Sequence, residues 1–242
     1  MIELYYFTTP NGRKITMALE ELDLPYEVRW IDITRGEQHT PEFQGINPNG
    51  KIPAIIDHDG PGGSPITLFE SGAILEYLAD KTGRLLPTDP ASRWAARCWL
   101  YWQVANQGPM LGQAAHFVTH AANHGVDDEY GRTRYVNEAK RCYSVLDRAL
   151  SDREWLAEEF SVADIACFPW TRMAKGQGVD IVEYPNVRRW SDAIAERPSA
   201  KVSPPDLRDD ATRHFQYTDE QWAQLFGLNS APQRPSPRVN SA

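Results

Sequence analysis

Ile2-Glu3-Leu4-Tyr5-Tyr6-Phe7-Thr8-Thr9-Pro10-Asn11-Gly12 opens the chain with branched and aromatic side chains that give way to a cluster of cap and turn formers. That change reads as a strand leading straight into a helix. Thr9 suits the N-cap and Pro10 the first helical position, where the missing N–H of proline costs nothing. Ile15, Leu19 and Leu22 fall near helical spacing, and Pro25 closes the helix. From Tyr26 to Asp32 the pattern roughly alternates, which gives a second strand. The crossover makes the two strands of this β-α-β unit parallel.

Outward from that unit, Asn47-Pro48-Asn49-Gly50 marks a turn and Lys51 to Asp57 a third strand. Gly60-Pro61-Gly62-Gly63 is a hairpin turn, Ile66 to Phe69 a fourth strand, and Ser71 to Lys81 a helix. The order β-α-β, then β-β-α, is that of a thioredoxin-like domain, a small mixed sheet with helices on its faces. Beyond Pro87 and Pro90, helical patterns cover Ala91 to Phe117, Asp127 to Ser151, Ser161 to Lys175 and Asn186 to Arg197. The expected class is α/β plus all-α: a thioredoxin-like domain over 1–86, a helical bundle domain over 90–200, and a C-terminal extension over 201–242. Within the extension a short helix is expected over Thr218 to Phe226, and disorder after Ser230. Ser161 and Asp164 can form a capping box that starts a buried helix.

A chain of 242 residues, 41% apolar, can fill the cores of two unequal units. Its net charge of −8 offers no clustered basic surface, which argues against nucleic-acid and anionic-membrane partners. The start has no basic region followed by a long apolar one, and no segment approaches a membrane span, so a cytoplasmic location is expected. Cys98, Cys142 and Cys167 are far apart with no Cys-x-x-Cys pair, and read as reduced, structural thiols.

Thr9-Pro10-Asn11-Gly12, Asn49-Gly50-Lys51-Ile52-Pro53-Ala54, Phe69-Glu70-Ser71-Gly72-Ala73-Ile74 and Ser161-Val162-Ala163-Asp164-Ile165 follow one another in an order that resembles the glutathione transferase superfamily. Lys14-Ile15-Thr16, and Trp102-Gln103 followed by Gly108-Pro109-Met110-Leu111-Gly112-Gln113, are similar to the bacterial nu class of glutathione-dependent disulfide-bond oxidoreductases. The resemblance spans roughly 1–200. It implies the glutathione transferase fold, a homodimer, and glutathione as the bound co-substrate (one or two molecules, or glutathione disulfide), with no metal. The implied substrate is a small-molecule or peptide disulfide.

Glutathione's thiol titrates well above neutral, so a protein that uses it as a nucleophile must favour the thiolate. A helix N-terminus offers free N–H groups and positive potential, and Thr9 and Asn11 add a hydroxyl and an amide as candidate catalytic donors. Each neutral hydrogen bond contributes only about 1 kcal/mol, so several must converge. Plain helix capping is the other reading of both residues. Tyr5 and Tyr6 lie inside the strand and read as packing residues. No cysteine lies near the first helix, which leaves exchange between bound glutathione and the substrate disulfide.

For the rest of the tripeptide, the resemblance assigns the Ile52 backbone beside a cis Pro53 to the cysteinyl part and Glu70 and Ser71 to the γ-glutamyl group. Gln38 and Lys51 fall to the glycine end, and Arg134 reaches in from the helical domain. The structural alternatives are a trans proline, a plain N-cap at Ser71, and solvated Lys51 and Arg134. His116, His120 and His124 would share a helix face; zinc can use such spacing, but no supporting ligand motif accompanies it, and the cleft mouth or the surface is their expected place. Trp94, Trp99 and Trp102 are expected in core or interdomain packing. The extension can cover the cleft, reach a second subunit or stay disordered. Disulfide reduction leads over conjugation to electrophiles and over a non-catalytic regulator, because the Thr-Pro-Asn pattern lacks the dedicated tyrosine, serine or cysteine of other classes.

Overall fold

Ile2, Leu4 and Tyr6 alternate with more exposed neighbours along β1 (Ile2–Tyr6), and all three are buried. They sit mid-sheet in a computed structural model that describes residues 1–205 and 216–227. β1 runs parallel to β2 (Tyr26–Trp30) and antiparallel to β3 (Ala54–Asp57), which pairs antiparallel with β4 (Ile66–Phe69). The order is β2-β1-β3-β4. α1 (Pro10–Glu21) makes the crossover; the Gly12 N–H donates to Thr9 Oγ1 at 3.1 Å and Pro10 occupies the first turn. α2 (Pro41–Ile46) and α3 (Ser71–Thr82) complete the thioredoxin-like part. β3 begins at Ala54 rather than Lys51, since Pro53 has no N–H to give the ladder.

From Pro90 the chain stays helical to Asn123, past the expected end at Phe117. α4 (Pro90–Trp102) and α5 (Gly108–Ala115) flank a π segment over Gln103–Gln107, and a second π segment, His116–His120, leads into α6 (Ala121–Asn123). In a regular helix the Pro109 ring would press on the Ala105 carbonyl, and the wider π turn just before it relieves that clash. Gln103 and Gln107, at the two ends of this segment, are both fully buried. Trp94, expected inside, is 60% exposed. Five positions from Trp99 is about 140° round a helix, so the two cannot share a face. Trp99 and Trp102 do pack edge to face at 5.2 Å.

α7 (Glu129–Ala149), α8 (Val162–Thr171), α9 (Pro185–Ala195) and α10 (Pro198–Lys201) complete the helical part. α8 stops at Thr171 rather than Lys175, where Gln177 Nε2 donates to the freed Trp170 carbonyl at 2.9 Å. This helix is buried along nearly its whole length and packs against α1, α3 and α4, so it joins the two halves. Its start is a capping box, with the Ala163 N–H on Ser161 Oγ at 3.3 Å and the Ser161 N–H on Asp164 Oδ2 at 3.0 Å. At the other end of α1, Arg197 holds Glu21 through two bonds of 2.8 and 2.7 Å.

The extension's expected helix is present as α11 (Asp219–Phe226), capped by Thr218 and Gln221. The disorder expected after Ser230 lies outside the described residues. Among the described residues no helix is long and apolar enough to cross a membrane.

Candidate functional site

Strand register gathers three chain segments at one end of the sheet. Tyr5 faces Ala54 and Ala54 faces Phe69, so one residue further Pro53 lies beside Glu70 while β1 leads out through Phe7 and Thr8 to α1. The Ile52–Pro53 peptide is cis. A cavity of about 480 Å³ opens here, lined by Thr9, Asn11, Gln38, Lys51 and Ile52 from the first part and by Trp170 and Met173 from the second. Pro53, Glu70 and Ser71 sit at the same sheet end without lining it. Arg134 is exposed on α7 and is not among the lining residues.

Asn11 is held from across the domain boundary. The Trp170 indole N–H donates to Asn11 Oδ1 at 3.1 Å. An indole nitrogen can only donate, so the amide oxygen must face it, and the NH₂ group is left as the donor that Asn11 offers. Thr9 Oγ1 accepts the Gly12 N–H, which uses a lone pair and leaves the hydroxyl proton to give elsewhere. Capping and donation are therefore compatible at Thr9.

Two polar atoms in this wall, Thr8 Oγ1 and Gln38 Oε1, are buried without a hydrogen-bond partner. Such atoms are costly unless something polar meets them, which fits a peptide-like ligand. In the sequence Thr8 carries no signal beyond that of one more turn former. Glu70 has φ 70° and ψ 115°, a conformation that costs a non-glycine residue about 1–3 kcal/mol and that collects at ligand sites. It opens α3, whose first N–H groups lack partners within the helix and favour an anion there.

Lys14 is the other residue that sequence left unmarked, apart from its place in a motif. Although it follows Arg13 on a helix, it is only 2% exposed, and Nζ donates to Ser71 Oγ at 3.1 Å and to Gln103 Oε1 at 2.5 Å. Burial lowers its pKa to about 7. The ammonium thus links the start of α3 to the first π segment.

Among the described residues no cysteine lines the cavity. Cys98 is exposed on α4, while Cys142 and Cys167 are buried, their thiols pushed upward by burial, Cys142 to about 11. Thiols that stay protonated are poor nucleophiles.

The described extension folds over the cleft, with Tyr217, Gln224, Leu225 and Phe226 in the cavity wall. The histidine row receives it: His124 stacks on Trp222 at 4.3 Å, His116 on Trp222 at 5.7 Å, and His120 on Phe226 at 5.5 Å. Burial depresses His116, and burial with the neighbouring imidazoles depresses His120 to about 4. The docked state favours the neutral form of His116 and His120, whereas a released or unfolded chain protonates these two near the usual value of about 6.5. Their stabilising contribution is therefore complete above about 6.5 and is lost as pH falls from there toward 4. Thermal midpoints measured between pH 7 and 5 are expected to fall more steeply for the parent chain than for His120→Phe. Parallel curves would contradict this.

Residues 8–81 match the model of the glutathione S-transferase N-terminal domain, and residues 128–198 that of the C-terminal domain. The chain is 48% identical over 201 residues to the disulfide-bond oxidoreductase YfcG of Escherichia coli, covering 82% of this chain and 92% of that protein. It is 39% identical over 215 residues to the disulfide-bond oxidoreductase YghU of the same organism, covering 83% and 73%. A crystal structure of glutathione transferase from Pseudomonas putida, with one glutathione disulfide bound per subunit, aligns with TM-score 0.80 at 45% identity over 83% of this chain and 89% of that one. A glutathione transferase from Burkholderia graminis, with two glutathione molecules per subunit, aligns with TM-score 0.77 at 46% identity over 82% and 85%.

Proposed function

The chain belongs to the glutathione S-transferase family, and within it we propose that the protein is an enzyme that reduces disulfides with glutathione as the thiol donor. One observation carries the reading: the cavity wall at the start of α1 holds converging donors and no protein thiol, so the reactive sulfur must arrive with the ligand. Thr9 and Asn11 hold that sulfur as a thiolate, helped by the N–H groups of α1. Ile52 and Pro53 hold the cysteinyl part, Gln38 and Lys51 the glycine end, and Glu70 and Ser71 the γ-glutamyl group. Arg134 contributes only if its exposed side chain swings inward.

The exchange needs no further redox partner. The bound thiolate attacks one sulfur of RSSR; a new S–S bond forms, the old one breaks, and RS⁻ leaves and takes a proton. A second glutathione thiolate attacks the glutathione sulfur of that mixed disulfide, releasing the other RS⁻ and glutathione disulfide. Two thiols are oxidised and one disulfide is reduced.

Nu-class membership is supported by the two E. coli relatives, which are named disulfide-bond oxidoreductases. A homodimer suits the exposed Trp94 and Tyr101 on α4, apolar area of the kind an interface covers. Cytoplasmic residence suits three free cysteines. In this scheme 1–86 binds the tripeptide, 90–200 supplies the facing wall, and 216–227 of the extension over 201–242 supply the cover.

Turnover of a small disulfide, coupled to glutathione reductase and measured beside conjugation of chloro-dinitrobenzene, tests the assignment. Disulfide reduction is expected to dominate, and the reverse ranking would make the chain a conjugating enzyme. A folded variant with Cys98, Cys142 and Cys167 all replaced is expected to keep most of its disulfide turnover. Collapse of that turnover would place the reactive sulfur on the protein.

A further inference from the structure

Lys14 is a buried charge that the chemistry proposed above leaves unused. It is 2% exposed, and its Nζ donates to two neutral oxygens, Ser71 Oγ at 3.1 Å and Gln103 Oε1 at 2.5 Å. Among the described residues no carboxylate forms an ion pair with it. Glu70, at the entry to α3, acts on it from further off, and burial keeps the nearby Cys167 thiol protonated. An ammonium taken out of water without a counter-charge is costly, and buried charges are as a rule paired.

The surroundings are fitted to this side chain. Gln103 turns its amide oxygen to Nζ although that leaves Nε2 buried without a partner, and Gly108 makes the room, since a Cβ there would meet Nε2 at 3.0 Å. On the other side a Cβ on Gly72 would meet Val104 Cγ2 at 2.9 Å, so the first turn of α3 lies directly on the π segment that carries Gln103. An ammonium can only donate, so Ser71 Oγ must accept from it, and the hydroxyl proton is turned away from Lys14. Ser71 is the first residue of α3, and the N-cap residue before it, Glu70, gives the helix no side-chain hydrogen bond. The hydroxyl and the N–H groups at that terminus are left to an anion, with the buried ammonium behind them.

We propose that Lys14 is a positioning residue for the γ-glutamyl carboxylate: it presets Ser71 as a hydrogen-bond donor to that carboxylate, which in turn supplies the negative charge that the buried ammonium lacks. The inference rests on the glutathione site proposed above, and Lys14 acts there through Ser71 rather than by contact. Burial alone brings Lys14 to about 7, and an anion bound at the start of α3 favours its charged form.

The test is a binding cycle at about pH 6, where the ammonium persists, with S-methylglutathione and with an analogue that carries 4-aminobutyrate in place of the γ-glutamyl residue. The analogue lacks only the carboxylate in question, and S-methylation keeps thiol titration out of the reading. Both are titrated calorimetrically into the full chain, Lys14→Met and Lys14→Gln, with circular dichroism to confirm folding. The parent is expected to bind S-methylglutathione about 30-fold more tightly than the analogue. Both variants are expected to lose about tenfold of that preference while binding the analogue within about threefold of the parent. A role in packing alone would weaken both ligands alike, so a carboxylate preference that survives in the folded variants overturns the inference and leaves the glutathione site standing. Because no carboxylate in the protein pairs with Lys14, methionine of similar length is expected to leave the fold intact. Failure of both variants to fold would make the ammonium a structural element and overturn the inference as well. Failure of the parent to bind S-methylglutathione at all removes the site and the inference with it.

Discussion

Asp164→Ala is expected to lose about 3–5 kcal/mol of stability and on the order of 10 °C in thermal midpoint, the largest effect of any single substitution considered for this fold. Asp164 is fully buried, and burial pushes its pKa up to about 6 even though four groups donate to it. Oδ1 accepts the Leu156 N–H at 3.0 Å and the Trp190 indole N–H at 2.8 Å; Oδ2 accepts the Ser161 N–H at 3.0 Å and lies 3.3 Å from Ser161 Oγ. One carboxylate therefore ties the start of α8 to the preceding loop and to α9. Alanine would leave these buried donors unpaired and open a cavity, and each orphan alone costs about 1–3 kcal/mol. Asp164→Asn keeps one acceptor oxygen and is expected to fall between the two. Denaturant titration of the three proteins checks the ranking, and an alanine variant as stable as the parent would mean that α8 is fixed by its apolar packing alone.

The second large effect falls on chemistry. Asn11→Ala is expected to lower kcat/KM for a small disulfide by about 10- to 100-fold while the fold persists, the range set by losing one preorganised donor in a partly solvated site. Trp170→Phe is a subtler companion. It keeps the ring against the cavity but removes the N–H on Asn11 Oδ1, so the amide can turn its oxygen toward the sulfur. A loss in Trp170→Phe that disappears in an Asn11→Ala background would show that the indole acts through the amide; independent losses would show that it acts by packing.

What could be read from sequence, and what could not, divides by distance along the chain. The Thr9-Pro10 start of α1 and the Ser161-Asp164 box each close within three residues, so residue type and spacing alone mark them. The succession of strands along the chain followed from turn chemistry and alternation in the same way, whereas their lateral order β2-β1-β3-β4 depends on pairing across the sheet. Lys14 was opaque because a lysine on a helix usually lies in water, and its burial depends on Ser71 and Gln103 from other elements. The Trp170–Asn11 bond joins residues 159 apart and leaves no local trace. The histidine spacing was visible as a helix face, but its purpose was not, since its partners Trp222 and Phe226 come from the far end of the chain. Nor does the sequence pattern announce a π segment, or that Gln103 and Gln107 at its two ends are fully buried.

All of the proposed chemistry turns on whether the first turn of α1 holds the ligand's sulfur as an anion. The direct measurement is an ultraviolet titration of thiolate absorbance for glutathione bound to the parent chain and to Asn11→Ala. The thiol is expected to titrate well below free glutathione in the parent and to move back toward it in the variant. A bound thiol that titrates like the free tripeptide in both proteins would contradict the account.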